Sequence, residues 1–449
     1  MPESFSRRTS AATVAHTLAS RFAVVGLNAV TGILTARLLA PEGRGELVAI
    51  GIWPVLVAGL TSLGLPSALV YHGRRNPAKV GELTASAMAL AAIAGLVGTA
   101  IAWVILPFWL QAHPPAIINA ARYCLLGTVV STMTVVGRAS WEARGDFRSS
   151  NLSQMAPPAL TIVGLVGLAA TGTLTSITAA AVYIGVGLPV LLWMLVALVE
   201  HHGLTRQTLR GEWGELLHYG ARSYGVDLFG VLALYLDQAL VVGLLSPAAM
   251  GIYAVALSLS RIINAVHAAA ATLTFPAVVG YSNVALTSAI ARAARLAAIA
   301  AAVIGIGVVA VGPTLVGLLY GSAYVSAGAL LPLLVLQVIV SGVVYVLLQG
   351  LLAAGRPGLA TMTQFVGLAL GVPLFLVLVP MWGALGAAMA LLLSTVIRLV
   401  LTMACYPLWL HAPVPRIWID RTDLPDLVAR ASSLLRLGST RWLRTGAAE

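Results

Sequence analysis

Long apolar runs, broken at short intervals by proline, glycine and charged residues, occupy almost the whole chain. A helix needs about 20 mostly apolar residues to cross the hydrocarbon core of a bilayer. On that measure the pattern predicts twelve spans, at about 11–38, 46–71, 81–110, 116–138, 150–171, 175–199, 216–244, 248–280, 288–318, 325–353, 358–379 and 384–410. Pro41, Pro114-Pro115, Pro247, Gly321 and Pro380 mark breaks between them.

The charges test that count. With the N-terminus in the cytoplasm, the inner segments hold Arg7 and Arg8; Arg74, Arg75 and Lys79; Arg138, Arg144 and Arg148; Arg206 and Arg210; Arg292 and Arg295; Arg356; and the arginines of the tail. The outer connections hold Arg37 and Arg44, offset by Glu42 and Glu46, and those near His113, Thr173, Pro247, Ser322 and Met381 carry no Lys or Arg. This alternation obeys the positive-inside rule and predicts an even number of spans with both termini cytoplasmic; the expected location is the plasma (inner) membrane.

Composition agrees. Of 449 residues 59% are apolar and 9% are charged, where a soluble domain carries roughly 25% charged residues. There is no hydrophilic block long enough for a separate domain. The net charge of +11 would point to nucleic acid in a soluble protein; here the basic residues sit in short loops and a tail, which points to topology and anionic lipid headgroups. Cys124 and Cys405 both lie in apolar runs, so neither a disulfide framework nor metal-ligand spacing is available. Ser6-Arg7-Arg8-Thr9 resembles a twin-arginine start, but the N-terminus lacks a cleavable hydrophobic region and reads as a positive flank on an uncleaved first span.

A repeat divides the chain. Leu38-Leu39-Ala40-Pro41, with Gly45 four residues past the proline, recurs as Leu244-Leu245-Ser246-Pro247 with Gly251. Ala143-Arg144-Gly145 has a partner in Ala354-Gly355-Arg356. Both members of each pair fall at matching topological positions, as a parallel duplication requires. The expected organisation is an N-terminal lobe at 1–199 (spans one to six), a cytoplasmic linker at 200–215, a C-terminal lobe at 216–410 (spans seven to twelve) and a basic cytoplasmic tail at 411–449. Within that tail, Asp426–Arg444 alternates leucines with arginines. It reads either as an amphipathic helix on the inner leaflet or as a partly disordered positive segment.

A charge at membrane depth costs roughly 2.5–3.5 kcal/mol on insertion scales, so each one needs a reason. The basic ones are Arg21, Arg122, Arg222, Arg261 and Arg398; the acidic ones are Asp227 and Asp237. Helical spacing groups several with polar neighbours: Thr17, Arg21, Asn28 and Thr35; Tyr224, Asp227 and Gln238; Arg261, Asn264 and His267; Thr395, Arg398 and Thr402. Asp227 could bridge to Arg261 or Arg222, but five basic groups cannot all pair with two acids. Arg122 and Arg222 can snorkel, while Arg21, Arg261 and Arg398 sit deeper. Surplus positive charge around a polar cavity suits an anionic ligand, since arginine matches phosphate or carboxylate with a planar fork. His16, His218 and His267 could carry protons, although a lone histidine is more often structural. The chain has no phosphate-binding loop, no metal set and no nucleophile elbow, and its outer connections are short. A carrier is therefore expected rather than an enzyme, with no cofactor beyond an H⁺ or Na⁺ gradient.

Thr35-Ala36-Arg37-Leu38-Leu39-Ala40-Pro41-Glu42-Gly43-Arg44-Gly45-Glu46-Leu47 resembles the first-hairpin signature of polysaccharide exporters (Wzx-type flippases of lipid-linked oligosaccharides) in the multidrug/oligosaccharidyl-lipid/polysaccharide superfamily. The second-half hairpin from Leu245 to Tyr253, Gly64-Leu65-Pro66 and Ala353-Ala354-Gly355-Arg356-Pro357 fit the same family. Ala40 departs from it, standing where a glycine usually precedes the proline, and is expected to alter only local turn geometry.

The resemblance implies an all-α integral membrane fold, with two six-helix lobes in a V around a central cavity lined chiefly by spans one, two, seven and eight. It implies transfer of a polyprenyl-diphosphate-linked oligosaccharide from inner to outer leaflet by alternating access, with other polysaccharide assembly proteins as possible partners. Arg21, Arg261, Asn28, Asn264, Arg222 and Arg398 are the expected substrate-binding residues; Asp227 and Asp237 are expected to couple an ion or gate the cavity. The alternatives are a cation-coupled multidrug antiporter, which would want acidic residues in its cavity; a peptidoglycan-precursor flippase, whose family usually carries about two extra spans; and an integral membrane glycosyltransferase or polymerase.

Overall fold

The computed structural model describes residues 11–111, 113–202, 212–278 and 280–418, without side-chain detail for 11–18, 201–202, 226–227, 233–234, 272–273 and 275–277. Arg7, Arg8, Arg206, Arg210, the Asp426–Arg444 stretch and the side chains of His16, Thr17 and Asp227 lie outside the described residues. The α-helices run α1 Ala11–Leu60, α2 Leu65–Arg75, α3 Val80–Trp109, α4 Pro115–Cys124, α5 Gly127–Arg144, α6 Phe147–Ala170, α7 Ser176–Gly185, α8 Gly187–His202, α9 Trp213–Leu244, α10 Pro247–Ser260, α11 Asn264–Val278, α12 Asn283–Tyr320, α13 Leu331–Ala353 and α14 Pro357–Trp409. Short 3₁₀ turns lie at Pro77–Lys79, Arg261–Ile263 and Ser322–Leu330. Among the described residues nine continuous helical stretches are long and apolar enough to cross a membrane. The protein is an all-helical, multi-pass membrane protein.

Several breaks fall elsewhere than the apolar pattern suggests. The second span, expected as one run to 71, stops at Leu60 and resumes as α2 after a turn through Gly64 (φ 68°). The fourth is divided at Leu125–Leu126 and continues to Arg144, so Arg138 and Arg144 ride on a helix rather than in a loop. Pro380 lies inside α14, whose break comes at Gly383 (φ 56°, ψ −134°), a conformation essentially confined to glycine. Membrane helices tolerate proline because neighbouring groups re-satisfy the backbone it frees.

The chain divides into two compact units. One comprises residues 1–258, 313–330 and 372–390; the other comprises 259–312, 331–371 and 391–449. In the first, Leu65, Leu69, Leu83, Met88, Val136 and Leu216 make one buried cluster, while Ile52, Leu56 and Ala239 join α1 to α9. In the second, Ile290 and Ala294 of α12, Val346, Leu347 and Leu351 of α13, and Tyr406 of α14 pack together. Hydroxyls close on their own helices, as Thr84 does on Val80 (2.6 Å), Thr132 on Thr128 (2.8 Å) and Thr287 on Asn283 (2.7 Å). A buried hydroxyl thereby spends its donor without a partner helix. Local signals set several helix starts: Asp146 accepts from Ser149 N–H (3.1 Å) ahead of α6, and Thr175 with Thr178 forms a capping box ahead of α7.

Ala40 holds φ 57° and ψ 176°, a backbone conformation essentially confined to glycine, and a residue with a Cβ is strained in it by about 1–3 kcal/mol. Ala40→Gly should therefore stabilise the protein, by roughly 1 kcal/mol after the entropy cost of glycine. A raised midpoint of detergent-induced unfolding is the expected readout, and an unchanged or lowered midpoint would contradict the strain.

Candidate functional site

The polar residues expected to share faces do not all do so. On α1, Arg21 and Asn28 are exposed, with Phe22 beside Arg21 at 64% exposure, whereas Thr31 and Thr35 are buried. Thr35 gives its hydroxyl to the carbonyl of Thr31 (2.7 Å). The stripe is thus open over the first half of the leg and packed over the second. On α9, Arg222 is exposed, Tyr224 and Gln238 are half-buried, and Asp237 is buried at 6% exposure. The Tyr224 hydroxyl donates to the Leu60 carbonyl at the end of α1.

In the second unit Arg261 is half-buried, Asn264 is exposed and His267 is buried, its ring seated on Gly342. Arg261 lies in the 3₁₀ turn Arg261–Ile263, where about 120° per residue replaces the 100° assumed in placing the three on one face. Thr395, Arg398 and Thr402 do share a face, and all are buried. Arg398 donates to Thr395 Oγ1 (3.2 Å) and reaches Gln364 Oε1 at 3.5 Å; Gln337 Nε2 donates to the same Thr395 oxygen (3.1 Å). The aliphatic stem of Arg398 lies on Gly367, where an added Cβ would fall 1.9 Å from its Cγ. Gln337 and Gln364 were not among the expected residues, although an amide within an apolar span is itself a signal of an internal hydrogen bond.

Other arginines at or near the membrane are committed to main-chain carbonyls. Arg122 donates to the Trp103 carbonyl (3.2 Å) and lies over its ring at 5.8 Å; the Arg37 guanidinium donates to the carbonyls of Leu318 and Leu319. Outside the spans, Lys79 Nζ meets Glu212 at 3.1 Å and His72 meets Glu215 at 3.7 Å. Among the described residues no cluster of three His, Cys, Asp or Glu could hold a metal ion.

The arrangement therefore offers exposed Arg21, Asn28 and Arg222 in one unit, and half-buried Arg261 with exposed Asn264 in the other. Residues 34–329, about two thirds of the chain, match the profile of a family described as polysaccharide biosynthesis protein. The chain belongs to that family. No curated protein matches its sequence.

The fold of this polysaccharide biosynthesis protein is shared by transporters of the MOP superfamily. An inward-facing multidrug resistance MATE transporter superposes with a TM-score of 0.70 at 16% identity, covering 86% of this chain and 94% of its own. A lipid II flippase, MurJ, in an inward closed conformation gives 0.72 at 11% identity, with 94% and 91% covered. A MOP transporter from Pyrococcus furiosus, whose binding pocket of reversed polarity suggests a different function, gives 0.60 at 16% identity, with 88% and 94% covered.

For this polysaccharide biosynthesis protein the burial pattern separates two kinds of arginine by stability. Arg21→Ala and Arg222→Ala should each leave stability within about 0.5 kcal/mol, as exposed substitutions do. Arg398→Ala removes the stem from Gly367 and strands Gln364, and should cost about 2 kcal/mol or more. Unfolding midpoints of the purified variants in one detergent check the contrast; equal losses at all three positions would contradict it.

Proposed function

We propose that this polysaccharide biosynthesis protein is a flippase that carries a polyprenyl-diphosphate-linked oligosaccharide from the inner to the outer leaflet. The observation that carries the reading is the sign of the exposed polar groups. Arg21, Asn28, Arg222, Arg261 and Asn264 stand exposed or half-buried on membrane helices of a chain belonging to this family. In the first unit Arg21, with Arg222 and Asn28, is the set suited to a diphosphate or acidic sugar; in the second it is Arg261, with Asn264 and Arg398; the prenyl tail stays in lipid. A fold shared with a lipid II flippase supports a lipid-linked cargo. A multidrug antiporter, sharing the same fold, is the second reading; the excess of arginine over acid at membrane depth favours an anionic cargo instead. The chain acts as a carrier, not as a glycosyltransferase or polymerase.

Twelve crossings with both termini in the cytoplasm complete the proposal. Nine helical stretches qualify by length and composition; two of them, broken at Ala40 and Gly383, have the length for two legs each, and the 32-residue α9 adds another. The repeat at Pro41 and Pro247 supports two six-helix halves working by alternating access. Asp227 and Asp237 couple the cycle to H⁺ or Na⁺, or reset the empty carrier against an arginine.

Transfer of a labelled lipid-diphosphate oligosaccharide across proteoliposomes, with and without ion gradients, tests the reading. Arg21→Ala and Arg261→Ala should each lower transfer ten- to a hundred-fold, matching about 1.5–3 kcal/mol for a charge-assisted hydrogen bond, at unchanged protein level. Unimpaired transfer in both variants would overturn the assignment of the site, and sugar transfer by the purified protein would make it an enzyme.

A further inference from the structure

The two halves of the sequence repeat meet each other. Pro41 and Pro247 open equivalent hairpins, with Gly45 and Gly251 four residues beyond. A Cβ on Gly45 would lie 1.7 Å from the carbonyl oxygen of Pro247, and one on Gly251 would lie 2.0 Å from the carbonyl oxygen of Pro41 and 3.2 Å from the nitrogen of Gly45. Each glycine α-carbon therefore rests on the proline carbonyl of the other hairpin. Such reciprocal approach of two backbones, with Cα–H pointing at C=O, is open only to residues without a side chain. The atoms a methyl would strike are main chain, which cannot turn aside as a side chain can.

The contact is framed by hydrogen bonds within the same compact unit. Trp109 Nε1 donates to the Ala239 carbonyl (2.8 Å) with its ring against Gly243, and His113 Nε2 lies 3.1 Å from the Val242 carbonyl. Tyr324 donates to the Ala36 carbonyl (3.1 Å), and Arg37 to those of Leu318 and Leu319. Each bond joins segments more than 120 residues apart in sequence and ends on a main-chain oxygen.

We propose that Gly45 and Gly251 form a reciprocal backbone latch that holds the Pro41 and Pro247 hairpins together and parts when the carrier opens toward the outer leaflet. The proposal rests on the carrier reading for its cycle, and on the two glycines for its mechanism. Because each hairpin supplies both a glycine and an acceptor, the two contacts form and break together. That makes the latch two-state rather than graded, as tightly packed interfaces tend to be.

The test places spin labels on exposed residues beside the latch, through Glu42→Cys and Ala248→Cys, in full-length protein with Cys124→Ser and Cys405→Ala, reconstituted in nanodiscs. A short, narrow distance is expected. Gly45→Ala and Gly251→Ala should each lengthen it by more than about 1 Å, the minimum a methyl needs in close-packed surroundings, and broaden it. Gly51→Ala, on the same helix with nothing within 4 Å of an added Cβ, should leave it unchanged. Folded alanine variants that keep the parent distance, or a Gly51→Ala shift of equal size, overturn the latch.

Should either alanine variant fail to fold, a short bismaleimide applied to the same cysteine pair in the native glycine background decides. Ready cross-linking supports the contact and its absence overturns it. Transfer of labelled lipid-diphosphate oligosaccharide should be lost in the cross-linked protein; transfer that persists overturns the latch as a gate. A parent protein that transfers none overturns the carrier reading instead, and the distances still judge the latch.

Discussion

A bilayer offers no water to a main-chain carbonyl, so every place where a helix stops within it must supply a donor from the protein itself. Two such ends, at Leu60 and Leu125, fall inside the expected spans, and others near the span ends are served in the same way. The carbonyl of Leu60, at the end of α1, takes the Tyr224 hydroxyl. That of Leu125, between α4 and α5, takes Thr99 at 3.2 Å; that of Glu142, near the end of α5, takes Arg74 at 3.2 Å. His113 serves Val242 near the end of α9, Arg37 serves Leu318 and Leu319 at the end of α12, and Asn283 serves Leu410 after α14 at 2.8 Å. The last four carbonyls of a helix have no intrahelical partner. Here side chains from other segments of the chain supply donors, added at Leu125 and Glu142 to the local N–H groups of Thr128 and Gly145, so capping a helix end and joining two segments are one act.

The same bookkeeping sorts the arginines. Those that donate to carbonyls, Arg37, Arg74, Arg122 and Arg295, have a structural task that explains their presence. Arg398 is held in the interior by Thr395 and Gln364, with its stem on Gly367. Its burial argues for a role in organising α14 as much as for ligand contact. Arg21 and Arg222 are exposed instead. An exposed arginine on a membrane helix is costly unless it faces water or an anion, so the residues with least to do in the fold carry most of the functional argument.

Hydropathy made the helical membrane architecture legible, and the prolines at 41 and 247 made the helix breaks beside them legible. The interior breaks were less so, for physical reasons. Proline suggests a break at 380, but a membrane helix accommodates it, and the chain turns instead at Gly383, where only the absence of a Cβ allows φ 56° with ψ −134°. The polar stripes were half legible. A 100° rotation per residue places Arg261, Asn264 and His267 together, yet the 3₁₀ turn at Arg261–Ile263 changes the phase and His267 ends buried while Asn264 is exposed. On α1 the periodicity holds, but the surroundings change along the helix: Arg21 is open, and Thr35 lies beside Ala36, whose carbonyl Tyr324 covers. Periodicity reports which residues share a face; it carries no information about what covers that face.

The structural relatives sharpen what can be asked of such a fold. At 16% and 11% identity a drug transporter and a lipid flippase share it, so backbone architecture cannot choose the cargo, and the choice falls to the charge of the exposed groups. Carriers of one fold can then differ in cargo by changing a few side chains while keeping the parts that move. In this chain the proposed latch is free of side chains. Gly45 and Gly251 each meet a proline carbonyl, a contact indifferent to the sign or size of any ligand. A backbone-to-backbone latch kept apart from a side-chain binding surface would let the second diversify without disturbing the first, and the two glycines stand at matching places, four residues past Pro41 and Pro247.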